Sequence, residues 1–68
     1  MNRIEIGKAL TYVRVSQNKT IYATAKLAKI SQAMANSIEQ GSANYTIDSL
    51  LAYASVLKVE IEINKEPA

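Results

Sequence analysis

The chain has 68 residues, enough for one hydrophobic core, and a domain of this size buries only about 60% of the surface that its unfolded chain exposes. It contains no Cys and no His, which excludes disulfides, thiol nucleophiles, imidazole general bases and most transition-metal sites. The acidic residues near the end of the chain have no Gly-rich or nucleophilic segment beside them. We therefore expect no catalytic site, no metal site and no cofactor, and the chain is predicted not to be an enzyme.

The net charge of +2 is distributed unevenly. Up to Lys58 there are seven basic and three acidic residues, a balance of +4, whereas residues 59–68 have one basic and three acidic residues, a balance of −2. This asymmetry is typical of a basic nucleic-acid-binding domain, here residues 1–58, followed by a segment that serves a different function. The N-terminus lacks the apolar stretch of a signal peptide, and no run reaches the roughly 18 apolar residues of a membrane span, so a cytoplasmic protein is expected.

The first half of the chain predicts a series of short helices. A first helix is predicted over about 6–17 from apolar residues at helical spacing, namely Ile6, Leu10 and Val13. Thr20 is the predicted N-cap of a second helix over about 21–29. The inner side of that helix is predicted to consist of Ile21 and three smaller residues that allow close packing, Thr24, Ala25 and Ala28.

A third and a fourth helix follow. Ser31 is the predicted N-cap of a helix over 32–39, which stops before Gly41, a residue suited to the left-handed turn after a helix. Residues 40–45 are a predicted loop. Thr46 then caps a helix with apolar residues at positions i, i+3, i+4, i+7 and i+10, which are Ile47, Leu50, Leu51, Ala54 and Leu57.

After Lys58 the sequence pattern changes from helical to alternating. Val59, Ile61 and Ile63 lie on one side, with polar residues between them, and this alternation predicts a strand. Because a lone strand cannot satisfy its backbone groups, its expected partner is the same strand of a second copy, in an antiparallel ribbon across a homodimer axis. We predict a first domain over 1–58 and a dimerisation strand with a tail over 59–68.

Four stretches of the sequence have the composition and spacing of a known motif. They are Ile6-Gly7 with Leu10 and Arg14, Thr20 to Ser31 with Ala25, Ser31 to Gly41 ending Ile38-Glu39-Gln40-Gly41, and Thr46-Ile47-Asp48-Ser49-Leu50-Leu51. Together they resemble the Cro/CI-type (Xre) helix-turn-helix family over about residues 6–59, and the terminal strand is similar to that of an antitoxin-like subgroup. The resemblance implies an all-α, lambda-repressor-like bundle of four to five short helices, with residues 1–58 as the DNA-binding domain and a C-terminal β-strand pairing across a homodimer.

The resemblance also implies that the third helix lies in the major groove and that the second crosses the phosphate backbone. The outward positions of the third helix are the candidates for base reading, namely Gln32, Ala33, Asn36 and Ser37, while Met34, Ala35 and Ile38 are expected to face the core. A side-chain amide suits a bidentate pair with adenine, worth about 1–3 kcal/mol of discrimination, and Ala33 can contact a thymine methyl group. The alternative interpretation is that Gln32 and Asn36 are ordinary exposed helix residues.

Phosphate contacts are expected from the N-terminal ends of the second and fourth helices, from the loop and from nearby lysines. The candidates are Lys19, Thr20, Lys26, Lys29, Ser31, Ser42, Asn44, Tyr45 and Thr46. The sequence departs from the family at Ile21, where members usually have a Gln that binds phosphate. It also departs at Lys29, where the turn commonly has Gly, so either a strained left-handed residue or a different turn is expected there.

Two further expectations concern structural roles. The resemblance implies that Arg14 and Glu39 form a partly buried ion pair between the first and third helices, and breaking such a pair on one side costs roughly 3–5 kcal/mol if it is well buried. The four tyrosines are predicted to lie at the margins of the core, and they are Tyr12, Tyr22, Tyr45 and Tyr53. For Tyr45 a phosphate or sugar contact is the alternative, and for Tyr22 solvent exposure is favoured over a backbone contact.

The leading functional hypothesis is a homodimeric repressor that binds double-stranded DNA at a palindromic operator, with half-sites separated by one helical turn of about 34 Å. A second hypothesis is an antitoxin or adaptor that binds a partner protein, such as a toxin, and autoregulates its operon. A third is a homodimerisation module without DNA affinity, because of Ile21 and the low net charge. No membrane partner is expected.

Overall fold

The computed structural model describes residues 2–59, which form four α-helices. In chain order these are α1 (Arg3–Ser16), α2 (Ile21–Ala28), α3 (Gln32–Gln40) and α4 (Ile47–Val56). Helix α1 packs on α3, and α2 packs on both α3 and α4. Over these residues the predicted helical bundle is confirmed, whereas the predicted terminal strand lies outside them apart from its first residue, Val59. None of the helices in 2–59 is long and apolar enough to cross a lipid bilayer.

Helix α1 begins three residues earlier than the periodicity predicts, at Arg3 instead of Ile6. A capping box starts it: the Glu5 backbone N–H donates to Asn2 Oδ1 at 2.9 Å, and the Asn2 N–H donates to Glu5 Oε1 at 3.3 Å. Arg3, Ile4 and Glu5 are exposed, Ile4 by 56%, so the three added residues contribute nothing to the buried stripe. The prediction was wrong here because apolar spacing identifies only the part of a helix that packs.

The three predicted N-caps are confirmed. Thr20, Ser31 and Thr46 each accept, at the side-chain oxygen, a hydrogen bond from the backbone N–H three residues later. Gly41 ends α3 in the left-handed region at φ 76°, as predicted. Lys29 also adopts a left-handed conformation, at φ 62°. The sequence left open a strained left-handed Lys29 or a different turn, and the structure has the strained left-handed residue.

The core combines aliphatic side chains with several alanines. The buried hydrophobic residues are Leu10, Ala25, Ala28, Ala35, Ile38, Leu50, Tyr53, Ala54 and Leu57. The small side chains on α2 and α3 let these two helices pack closely, as predicted for α2. Two tyrosines depart from the predicted core margin, since Tyr53 is completely buried and Tyr12 is 75% exposed. Tyr45 lies at the margin as predicted, and Tyr22, for which solvent exposure was favoured, is 60% exposed.

Helix α4 is rotated about its axis relative to the prediction. Leu50, Ala54 and Leu57 are buried as expected, but Ile47 and Leu51 are 51% and 42% exposed. Tyr53 is buried in the core instead of Ile47 and Leu51. It lies three residues after Leu50 and four before Leu57, so it shares their helix face.

Gly7 allows α1 to lie directly against the C-terminal end of α3. A Cβ atom at this position would lie 2.4 Å from the Glu39 carbonyl oxygen and 2.7 Å from that of Ile38. Both oxygens belong to the backbone, so a side chain here requires the two helices to separate. This close approach also sets the distance at which side chains of α1 meet Glu39.

The variant Gly7→Ala is expected to lower the free energy of unfolding by about 1–3 kcal/mol, the usual cost of overpacking. Helix propensity acts in the opposite direction, since Ala is favoured over Gly inside a helix by about 0.5–1 kcal/mol. Urea unfolding followed by circular dichroism measures the difference. The exposed neighbour Lys8 provides the control, and Lys8→Ala should change stability by less than about 0.5 kcal/mol. A Gly7→Ala variant as stable as the parent would contradict the close contact of Gly7 with the backbone carbonyl oxygens of Ile38 and Glu39.

Candidate nucleic-acid interface

Helix α3 buries one side and presents the other to solvent. Ala35 and Ile38 are completely buried, and Met34 packs against the core. On the other side Gln32 and Ala33 are exposed and Asn36 and Ser37 are partly exposed, so the four predicted base-reading residues share the accessible surface of the helix. Among residues 2–59, no hydrogen bond engages the side-chain amide of Gln32 or Asn36. Both amides are therefore available to an external partner.

Three residues, 29–31, connect α2 to α3. The Lys29 N–H donates to Lys26 O at 3.1 Å and the Ile30 N–H donates to Ala25 O at 3.0 Å, which closes the end of α2. The Ile30 side chain packs against the core, and Ser31 then caps α3. Because both ends of the turn are hydrogen-bonded and its middle is packed, α3 is held in a fixed orientation relative to α2.

The C-terminal end of α3 is held by a charged network centred on Glu39. Arg14 Nε donates to Glu39 Oε2 at 2.7 Å and Arg14 Nη2 donates to Oε1 at 3.1 Å, a two-point contact. The Tyr53 hydroxyl also donates to Oε2, and Thr11 Oγ1 lies 2.9 Å from Oε1. Arg14 Nη1 donates to the carbonyl oxygen of Lys19 at 2.7 Å. One carboxylate thus links α1, α3, α4 and, through Arg14, the connection to α2.

The network is largely shielded from water, since the side chains of Arg14 and Glu39 are only 13% and 6% exposed. Burial raises the pKa of the Glu39 carboxyl group, but hydrogen bonds from Arg14, Tyr53 and Thr11 outweigh burial and hold this pKa below its usual value. Burial and the neighbouring carboxylate raise the pKa of Tyr53. Glu39 therefore remains an anion and Tyr53 a hydrogen-bond donor at neutral pH.

Sequence reasoning named only two members of this network, Arg14 and Glu39, and missed the other three. Tyr53 could have been found, because its spacing from Leu50 places it on the buried stripe of α4, where a hydroxyl group needs a polar partner. No feature of the sequence identifies Thr11 or the Lys19 carbonyl oxygen as a member of this network. Their contribution depends on how closely α1 approaches α3.

The predicted phosphate-binding hydroxyl groups differ in whether the hydroxyl hydrogen is already used in a hydrogen bond within the protein. Thr20 and Ser31 each accept one backbone N–H and keep the hydroxyl hydrogen for an outside acceptor. Ser42 accepts from the Asn44 N–H at 3.1 Å and keeps its hydrogen in the same way. Thr46 donates its hydrogen to Ser49 Oγ at 3.0 Å. The structure thus favours Thr20, Ser31 and Ser42 over Thr46 as side-chain donors.

The remaining phosphate candidates are three lysines, Tyr45 and Asn44, and Asn44 is exposed in the loop before α4. Lys26 and Lys29 are exposed on α2 and its C-cap, whereas Lys19 is partly buried before α2. Between Lys19 and Gln40 the only acidic residue is Glu39, which is paired, so no free carboxylate from this stretch offsets the lysines. Tyr45 packs against the core and lines a cleft of about 380 Å³ together with Asn2, Arg3, Ile6, Ile47 and Leu50. Its packing supports the structural interpretation of this tyrosine.

The variant Glu39→Gln is expected to lower stability at neutral pH by about 3–5 kcal/mol, because Arg14 stays partly buried without its counter-ion. The pKa of Glu39 is lower in the folded chain than its ordinary 4.5, so the stabilisation is complete above that pH and is lost as the pH falls through the folded value. Urea unfolding at several pH values should therefore show the two proteins becoming more similar in acid.

The matched control is Asp48→Asn, which removes an exposed carboxylate in the first turn of α4. It should change stability by no more than about 1 kcal/mol, the range for a surface charge near a helix end. A difference between the parent and Glu39→Gln that stays constant from neutral to acidic pH would contradict the role assigned to the Glu39 carboxylate.

Comparison with known families gives one match, to the helix-turn-helix family over residues 10–64. The matched region includes the second half of α1 and all of α2, α3 and α4, and so contains the Glu39 network, the turn 29–31 and the exposed side of α3. No curated protein was found to match the chain.

Proposed function

Because the chain belongs to the helix-turn-helix family, of the Xre/Cro/CI type, it is a DNA-binding regulator, and we propose that it acts as a homodimeric, sequence-specific repressor on a palindromic operator. One observation carries the proposal. The side of α3 opposite the buried Ala35 and Ile38 displays two unengaged amides, Gln32 and Asn36, on a helix fixed at both ends. Such a helix fits the major groove, which is about 12 Å wide.

Recognition divides between the two helices of the motif. On α3 the amides of Gln32 and Asn36 each pair with the N6 and N7 atoms of an adenine, and Ala33 contacts a thymine methyl group. On α2 the hydroxyl group of Thr20 and the ammonium groups of Lys26 and Lys29 contact phosphates, which set the register but carry no sequence information. Bound in this way at a promoter, the protein blocks access to it.

Dimerisation supplies the second half-site. Val59, the first residue of the predicted strand, donates its N–H to Ala54 O at 2.9 Å and packs against the core of its own chain, so the last described residue is fixed against the body. The other two proposed dimerisation residues, Ile61 and Ile63, lie outside the described residues. Paired strands from two copies present two α3 helices to the same side of a duplex, about 34 Å apart. This symmetry is the reason for a palindromic operator.

A second candidate function is an antitoxin or adaptor that binds a partner protein and regulates its own operon. The acidic balance of residues 59–68, next to a basic body, favours it, because such a segment offers a charged surface to a basic partner. Both functions use the same DNA-binding body. Purification from the native host separates them: a stoichiometric second protein indicates the antitoxin, and a homodimer alone indicates the repressor.

Replacing the base-reading amides should remove sequence preference. In fluorescence anisotropy with the DNA upstream of its own gene and a scrambled duplex, Gln32→Ala and Asn36→Ala should each reduce discrimination by roughly fivefold to 150-fold, the value of one bidentate base contact. Gln40→Ala is the matched control, because Gln40 is an exposed amide at the other end of α3. Lys26→Ala should instead weaken binding to both duplexes alike. Equal affinity of the parent protein for the two duplexes would rule out the repressor.

Placing a charge in the proposed dimer ribbon should separate the two copies. Ile61→Lys is expected to shift the monomer–dimer equilibrium at least about tenfold toward the monomer, since burying an unpaired charge is costly. Asn64→Lys adds the same charge on the other side of the alternation and should leave the dimer intact. Sedimentation equilibrium measures both. A parent protein that remains monomeric at high concentration would disprove the homodimer.

A further inference from the structure

We propose that Tyr22 is a positioning residue for DNA binding, whose ring holds the ammonium group of Lys26 where that group meets the phosphate backbone. The inference rests on the proposed function and deepens it, by assigning a role to an exposed aromatic side chain that neither the core nor the base-reading surface uses. Tyr22 acts through Lys26 and need not contact the DNA itself.

The geometry of the pair supports this role. Lys26 Nζ lies 5.9 Å from the centroid of the Tyr22 ring, inside the distance of about 6 Å at which a cation is attracted to an aromatic face. The two residues are four apart on α2, so they lie one turn from each other on the same side of the helix. Tyr22 is 60% exposed, and Lys26 is exposed too, so the pair lies on the outer surface.

The pair lies on the helix that leads into the proposed base-reading helix. By helical spacing Tyr22 and Lys26 share one flank of α2, beside the buried side formed by Ala25 and Ala28, and Lys29 follows as the exposed C-cap. This flank ends at the turn 29–31, directly before the exposed residues of α3. Two exposed positive charges, Lys26 and Lys29, thus precede the proposed base-reading helix.

Restricting the lysine matters because of its flexibility. A Lys side chain is a point charge on four rotatable methylene groups, and it loses rotamer freedom when it settles on a phosphate. A ring that already holds the ammonium group reduces this loss on binding. Ile21, the first residue of α2, packs against the core and offers no polar side chain, so the charge on this flank has to come from residues farther along the helix.

The test is a double-mutant cycle in fluorescence anisotropy, with a random-sequence duplex as the probe because the contact is independent of sequence. Tyr22→Leu should weaken binding about twofold to tenfold, the effect of having to order one flexible side chain on binding. Tyr22→Phe keeps the ring and should bind like the parent. Lys26→Gln should weaken binding and lower the salt slope by about 0.9, the value of one phosphate contact. In the Lys26→Gln background, Tyr22→Leu should have no further effect.

The matched controls lie on α1, where Tyr12 is 75% exposed and Lys8 is exposed. Tyr12→Leu and Lys8→Gln should bind within about twofold of the parent, and circular dichroism should show that all variants keep the helical fold. The inference is overturned if Tyr22→Leu is harmless, if Tyr22→Phe is as weak as Tyr22→Leu, or if the effects of Tyr22→Leu and Lys26→Gln simply add. If the parent protein binds no duplex, the proposed function fails together with the inference. If the parent protein binds but the Tyr22 variants behave as just described, only the inference fails.

Discussion

The buried carboxylate of Glu39 organises this small protein. It accepts hydrogen bonds from Arg14 on α1 and Tyr53 on α4 while belonging to the last turn of α3, so three helices meet at one anion. Hydrophobic contacts are non-directional and alone would let α3 slide or rotate. Directional bonds to a charged group fix its position, and they depend on Gly7, because α1 cannot come close enough to α3 with a larger residue there.

This constraint bears on DNA recognition because base contacts require α3 to be placed accurately. The helix is capped by Ser31 at one end and held through Glu39 at the other, with Ala35 and Ile38 buried between. Its exposed side is thus a rigid surface on which the amides of Gln32 and Asn36 keep a constant spacing. A rigid surface loses little conformational entropy on binding, which is an advantage for a domain with few contacts to offer.

Much of the fold could be predicted from the sequence, because caps and turns depend on local chemistry. Thr20, Ser31, Thr46 and Gly41 were all identified as helix boundaries by their residue type, and the buried and exposed sides of α3 were implied by the family resemblance. What failed required knowledge of packing: the buried position of Tyr53 instead of Leu51 depends on which elements surround α4. The base and phosphate contacts remain predictions, since they concern a partner outside the chain.

Three residues other than Gly have a left-handed backbone, which costs stability. Asn18, Lys29 and Lys58 all have φ near 60°, where a residue with a Cβ atom is disfavoured by roughly 1–2 kcal/mol relative to Gly. For Asn18 the side chain tolerates this region, but a lysine gains nothing locally except the attraction of its charge to the helix C-terminus. At Lys29 the same charge stands beside the start of α3. A Gly there would relax the backbone, so Lys29 keeps its charge beside the start of α3 at a cost in stability.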